Sequence, residues 1–343
     1  MKYKLFVSLC VGVLTLLIPM LPLLSLSPSA TASPEVPPRE ASPSSSPEEE
    51  SVPEFVFENE FRILDSSTGE VLRVGALDYI RGAIAAEAPI SLAPDALAAM
   101  GVAAYTNAVR CQLEQERSPS PELKGAHFSA DPSAQSGWID EDQARVLYGG
   151  SFDAAWEKLC DAAQLAAGWI MLYDGEPIVA AYSEMSCGRT ESAGNVWGVR
   201  IPYLVPVDSP GDPLAPGFLS TAVFTQDELS ETILQSRPGA DTSGDPGSWV
   251  GDIVRSSSGY VLSVELCGET FSGQELRRML SLRSSCFEIS FADGIFLFSV
   301  KGHGHGAGLS QYGADSMARQ GADFLAILRH YYPGAAPVRV VVQ

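Results

Sequence analysis

The pattern of apolar and polar positions changes character several times along the chain. From residue 5 to residue 26 it is mostly apolar, long enough to cross a bilayer as a helix. Lys2 and Lys4 stand just before that run, on the side expected to stay cytoplasmic, so the rest of the chain would face outward. Pro19 and Pro22 weaken such a helix without forbidding it. Ala30-Thr31-Ala32 has the small-residue form of a signal-peptidase site, so cleavage and secretion is the competing expectation. The apolar run exceeds a usual signal core, which favours an uncleaved, single-pass anchor over residues 1–26. Over residues 27–54 the pattern disappears into Ser, Pro and Glu, as in Ala41-Ser42-Pro43-Ser44-Ser45-Ser46-Pro47-Glu48-Glu49-Glu50. Such a composition buries too little apolar surface to fold and reads as a stalk. A folded domain is expected over residues 55–343.

Within that domain, Phe55, Phe57 and the Phe61-Arg62-Ile63-Leu64 run predict early strands, followed by a turn at Ser66-Ser67-Thr68-Gly69. Residues 94–114 predict a helix: Pro94 suits its first turn, and Leu97, Gly101, Ala104 and Ala108 form a small-residue face. A second helix is predicted over 151–166. Residues 169–184 alternate as two strands about Asp174-Gly175, a hairpin turn pair. Short helices are predicted at 226–234 and 273–280, and strands at 259–266 and 288–300. Two closing helices follow at 309–320 and 323–332, with Gly321 as the stop of the first. No βαβ rhythm or internal repeat emerges. The expected fold class is therefore α+β, mixed helices and strands around a substrate cleft.

The chain of 343 residues is 45% apolar, ample for one large or two ordinary domains. Its formal charge of −20, with no basic patch, excludes nucleic acid as a partner. Polyanionic wall polymers and anionic lipid surfaces would be repelled, whereas a neutral glycan suits this charge. Cys10 falls in the apolar run, and Cys111, Cys160, Cys187, Cys267 and Cys286 are widely spaced with no CxxC. That excludes a dense disulfide framework and leaves one or two bridges compatible with an exported chain.

The candidate chemistry concentrates in Gly302-His303-Gly304-His305-Gly306-Ala307-Gly308-Leu309-Ser310-Gln311-Tyr312-Gly313-Ala314. Glycine occupies every second position from 302 to 308. In an extended strand this gives one face of bare backbone, with His303, His305 and Ala307 on the other. Such a run implies close approach by a ligand or another backbone, and the face could accept a bulky substrate. The two histidines could also start a metal site, though ligands from elsewhere would be needed. The remaining histidines are His127 and His330.

Val300-Lys301-Gly302 through Gly313-Ala314 resembles the signature of the stage II sporulation protein D family, lytic transglycosylases that cut peptidoglycan during spore engulfment. Ile84-Ala85-Ala86-Glu87-Ala88-Pro89 resembles the family's catalytic segment, and Pro94-Asp95-Ala96-Leu97 with Val102-Ala103-Ala104 its next helix. Residues 182–191 and Val196-Trp197 resemble its central loop. Phe271-Ser272-Gly273-Gln274-Glu275-Leu276-Arg277 and Leu282-Arg283-Ser284-Ser285 agree further downstream. The resemblance covers residue 55 to the end.

The resemblance implies that Glu87 is a single catalytic acid–base. It would protonate the glycosidic oxygen and then take a proton from the C6 hydroxyl of N-acetylmuramic acid. That hydroxyl attacks C1, giving a 1,6-anhydro sugar without water, whereas ordinary glycosidases use two carboxylates. A general acid needs a raised pKa, which the apolar neighbours Ile84, Ala85, Ala86, Ala88 and Pro89 would favour. Ser186, His303, His305, Ser310 and Gln311 would bind or support substrate. Ser310 and Gln311 could equally cap the following helix.

Two departures from the family pattern stand out. Tyr105 replaces an Arg, and Arg189 stands where the central loop often has Tyr after its Ser-x-Gly. The exchange suggests that the two side chains meet near Glu87; the competing expectation is a degenerate site. Some relatives carry a His/Cys zinc cluster whose matching positions here are Leu123, Ser129, Ala134 and Gln135, so no metal and no cofactor is expected. His127 nearby reads as a surface histidine. Cys187 could act as a nucleophile if His305 were its partner. The implied substrate is glycan strands stripped of stem peptides, and the implied partners are stage II sporulation proteins P, an amidase, and M. The implied location is the mother-cell membrane, with the domain facing the septal space. The runner-up is a weak or inactive wall-binding, amidase-enhancing protein.

Overall fold

The protein is described here by a computed structural model covering residues 56–57, 60–132 and 137–342. The expected anchor (1–26) and stalk (27–54) lie outside the described residues. Among the described residues, no helix is long and apolar enough to cross a membrane.

Nine α-helices occur among the described residues: α1 (Ala76–Glu87), α2 (Pro94–Arg117), α3 (Glu141–Tyr148), α4 (Phe152–Ala166), α5 (Ala193–Trp197), α6 (Gln226–Ser236), α7 (Gly273–Met279), α8 (Gln311–Arg319) and α9 (Phe324–Tyr331). With the strands they form the expected mixed α+β architecture. Helix α2 is its axis. It packs against α1, α4, α8, α9 and the strand Trp169–Tyr173. Buried Ala96, Ala98, Ala99, Ala103, Ala104 and Ala108 keep that contact close on several sides at once. Lys158 of α4 donates to the Ile90 and Leu92 carbonyls at 2.7 and 2.6 Å, tying down the turn between α1 and α2.

Two hydrophobic cores divide the labour. The larger combines α1, α2, α4, α8 and α9 with the strands Glu60–Asp65 and Trp169–Tyr173. The smaller lies in an inserted lobe and is built on Leu229, Ile233, Val264, Phe271, Leu276, Phe287, Phe296 and Phe298. Two antiparallel three-stranded sheets make up this lobe. One orders Glu269–Ser272, Val261–Leu266 and Val250–Arg255; the other orders Phe287–Ala292, Ile295–Lys301 and Leu219–Thr225. The last strand of the lobe runs directly into Gly302, so the lobe's register sets where the glycine-rich segment begins.

The helices predicted at 94–114, 151–166, 226–234 and 273–280 are present with small shifts of their ends. The predicted strand 288–300 is instead a hairpin, Phe287–Ala292 paired with Ile295–Lys301. Asp293 and Gly294 both have positive φ, 51° and 77°, as the tightest hairpin turn requires. The Asp174-Gly175 hairpin forms, but its return strand is only Glu176–Pro177. Beyond it Ile178 donates its N–H to the Met171 carbonyl at 3.0 Å, closing that ladder. The chain leaves the sheet there, and Tyr182–Ser183 pairs in parallel with Leu309–Ser310 instead.

Candidate active site

Helix α1 ends at Glu87 for a local reason. Pro89 disfavours a helical conformation at the residue before it, and Ala88 is extended, with φ −120° and ψ 138°. This puts Glu87 in the last helical turn at the edge of a cleft of about 630 Å³. Ala85, Ala86, Ala88, Pro89, Ile90 and Leu147 give it an apolar wall, and Tyr182, Ser183 and Glu184 also line it. Gly137 donates its backbone N–H to Glu87 Oε1 at 2.7 Å. Gln311 Nε2 donates to the Glu87 carbonyl at 2.8 Å, so the first turn of α8 holds the end of α1. Burial pushes the phenol of Tyr182 well up, and the Glu87 charge adds to the effect. Tyr182 is therefore a neutral hydroxyl beside the carboxylate.

The second charged group of the cleft was not legible in the sequence. Glu184 Oε2 contacts His303 Nδ1, and Arg283 Nη2 lies 2.9 Å from the same ring nitrogen and 3.4 Å from Glu184 Oε1. The hydrogen bond from His303, with the nearby guanidinium, holds the Glu184 carboxyl below the usual range. Glu184 is thus an ionised carboxylate facing the same cleft as Glu87.

The glycine-rich segment supports this wall from behind. Gly302, Gly304, Gly306 and Gly308 have φ of 79°, 110°, 80° and 73°, so the segment is not the extended strand expected from its alternation. Each second residue turns into the left-handed region that glycine alone adopts freely. The bare face meets protein rather than substrate. A Cβ on Gly302 would lie 2.8 Å from Ser186 O, one on Gly304 2.5 Å from Ser183 Cβ, and one on Gly308 would overlap the Ala181 carbonyl. Close approach by another backbone is the reason for Gly302 and Gly308, whereas Gly304 makes room for the Ser183 side chain and Gly306 for the Tyr260 phenol.

His303 and His305 consequently diverge. His305 Nδ1 accepts the Ala307 N–H at 3.1 Å, and the ring lies 5.0 Å from that of Trp197. Burial, with the Arg277 charge, brings its pKa down to about 4. The sign of the stability effect follows. The fold favours the neutral ring, whereas the unfolded chain takes up a proton near 6.5. Stability from this site is complete above pH 6.5 and is lost as pH falls to about 4, by about 3 kcal/mol. Urea unfolding at both ends of that window should show the loss in wild type and a smaller one in His305→Asn. Equal losses would remove His305 as the cause.

Ser310 and Ser186 are buried away from the cleft, on Asp212. Ser310 Oγ donates to Asp212 Oδ1 at 2.6 Å and accepts the Gly313 N–H at 3.2 Å, so it caps α8. Ser186 N and Oγ both donate to Asp212 Oδ2, at 2.8 and 2.5 Å. Burial raises the Asp212 pKa, against the pull of these serine hydrogen bonds. Asp212, hidden in a Ser-Pro-Gly-Asp-Pro stretch that reads as a turn, joins the central loop to α8.

The structure does not bring Tyr105 and Arg189 together. Tyr105 is fully buried in α2, edge-on to Phe61 with ring centres 5.8 Å apart, and its hydroxyl has no hydrogen-bond partner among the described residues. Burial pushes its pKa up to about 12. Arg189 is exposed and pairs with Asp208 at 2.5 Å. His127 is buried rather than on the surface: its Nδ1 accepts the Arg62 N–H at 3.3 Å. Leu123 ends a short 3-10 turn and Ser129 lies in the strand Phe128–Ala130, while Ala134 and Gln135 fall outside the described residues. Cys187 Sγ points to Ser258 O at 3.0 Å and to Cys286, not to His305.

The family model for stage II sporulation protein matches residues 65–173, which include Glu87 and all of α1 through α4. A stage II sporulation protein D from Bacillus amyloliquefaciens is 33% identical over 270 residues, covering 78% of this chain and 76% of the relative. The chain belongs to the stage II sporulation protein D family. The Bacillus subtilis stage II sporulation protein D is 31% identical over 258 residues, or 75% of this chain and 72% of that protein. An amidase enhancer from Bacillus subtilis is 25% identical over 245 residues, 57% of this chain and 34% of its own length. For a stage II sporulation protein D, the family match places sporulation as the setting. It ends at residue 173, ahead of the wall that carries Glu184 and of the glycines behind it.

Proposed function

We propose that this chain is a peptidoglycan lytic transglycosylase that cuts the bond between N-acetylmuramic acid and N-acetylglucosamine in peptide-stripped strands during engulfment. The observation that carries the reading is Glu87: a helix-end carboxylate at a cleft with one apolar wall, fixed by the Gly137 N–H and by Gln311. In its protonated form Glu87 donates to the glycosidic oxygen as the C1–O bond breaks. The resulting carboxylate takes the C6 hydroxyl proton, and that oxygen closes on C1. The proton returns to Glu87, the 1,6-anhydro ring forms and no water is consumed. Positive charge grows at C1 in the transition state, and an ionised Glu184 in the same cleft stabilises it.

Peptide-stripped strands as the substrate rest on the family resemblance. The family resemblance extends the proposal to an amidase partner, stage II sporulation protein P, to protein M, and to a single-pass anchor facing the septal space. The reading uses no metal: Leu123 offers no donor atom and Ser129 is a poor zinc ligand. Metal analysis of untagged protein should find no stoichiometric zinc.

Two experiments test the reading. The full-length chain should shorten peptide-free glycan strands, followed by size separation. Strands that bind but keep their length would favour the amidase-enhancing alternative, to which the 25% identity with the amidase enhancer also points. Glu184→Gln should lower kcat by about 100-fold with little change in KM, measured on the same strands. An unchanged kcat would remove Glu184 from the chemistry.

A further inference from the structure

Away from the cleft, two thiols from distant parts of the chain meet at one glycine. Cys187 follows the segment that carries Glu184, and Cys286 follows the segment that carries Arg283, each three residues on. Cys286 Sγ lies 3.8 Å and Cys187 Sγ 4.0 Å from the point where Gly259 would carry a Cβ. The two thiols share a hydrogen bond. Both also point at backbone oxygens of one turn: Cys187 Sγ lies 3.0 Å from Ser258 O, and Cys286 Sγ 3.4 Å from Gly259 O. Both thiols are reduced in this structure.

A second cavity, of about 210 Å³, opens onto the pair, with Arg255, Lys301 and Glu288 around it. Cys187 is partly exposed there, while Cys286 is buried. Attack therefore falls to Cys187 first. The hydrogen bond from Cys286 favours the Cys187 thiolate and makes the second ionisation harder, so Cys187 lies below and Cys286 above the ordinary thiol pKa.

We infer that Cys187 and Cys286 form a thiol–disulfide exchange site that an external disulfide converts to a cross-link between the central loop and the inserted lobe. The Cys187 thiolate attacks the external disulfide, forming a mixed disulfide and releasing one thiol. Cys286 then gives up its proton, attacks Cys187 Sγ and displaces the second thiol. Two protein thiols become one disulfide, and one external disulfide becomes two thiols. The bond would fix the spacing of Glu184 and Arg283, because it joins the two segments just beyond them. This inference does not depend on what the cleft cleaves.

The test uses the full chain equilibrated with glutathione disulfide, blocked with an alkylating reagent and digested without reduction. The expected result is a linked peptide pair containing Cys187 and Cys286, lost on reduction, with Cys111, Cys160 and Cys267 alkylated. Cys286→Ser should trap glutathione on Cys187, and Cys187→Ser should leave Cys286 without it. Finding Cys187 and Cys286 both alkylated, or each carrying its own glutathione, would overturn the proposal. So would glutathione on Cys286 in Cys187→Ser.

Discussion

Glu87→Gln is expected to reduce glycan cleavage by about 10³-fold or more, the scale of losing a positioned acid–base. The amide keeps an oxygen to accept the Gly137 N–H, and the Gln311 bond is made to the backbone, so neither contact depends on the carboxylate. The variant should therefore fold, melt close to wild type, within about 0.5 kcal/mol, and still bind strands. What it loses is the proton. Glutamine can neither give one to the glycosidic oxygen nor take one from the C6 hydroxyl. A variant that retains a tenth of the wild-type rate would show that another group performs the transfer. Glu184 is a poor replacement, because His303 and Arg283 keep it ionised.

Gly308→Ala should be among the most damaging single methyl additions at the described glycines. Gly308 has φ 73°, and its Cβ would overlap the Ala181 carbonyl, whose residue precedes the cleft wall at Tyr182. Left-handed strain and overpacking of a backbone contact together cost about 4 kcal/mol, a large share of a typical domain's stability. The expected drop in Tm is about 10 °C. Gly268→Ala is the matched control: its φ is 76°, but none of the described residues lies within 4 Å of the added carbon, so it carries only the conformational cost of about 1 kcal/mol. Thermal unfolding of the two variants side by side decides the point. Similar midpoints would mean that the segment can shift away from residue 181, and that these glycines do not shape the wall.

The contrast between these glycines and Glu87 shows what the sequence could reveal. Local signals were readable. Pro94 and the alanines of α2 and the Asp174-Gly175 turn all act within a few residues. Asp293-Gly294 turns a hairpin inside what the alternation presents as one strand, 288–300. Glycine at alternate positions indicated close approach but not of what, since a substrate and residues 181–186 leave the same trace. Glu184, Arg283 and Asp212 carried no local signal, because their roles arise from contacts between segments up to about a hundred residues apart. The Arg and Tyr at positions 189 and 105 looked like an exchange. Burial decides otherwise: Tyr105 faces the aromatic core around Phe61, and Arg189 faces solvent and Asp208.

The central claim is that Glu87 drives attack by the sugar's own C6 hydroxyl rather than by water. The direct measurement is the mass of the new ends made when the full-length chain cuts peptide-free strands in heavy-oxygen water. The account predicts ends one water lighter than hydrolysis would give, without heavy oxygen. Ends that carry the labelled oxygen would contradict it and would assign the cleft, with its two carboxylates Glu87 and Glu184, to hydrolysis.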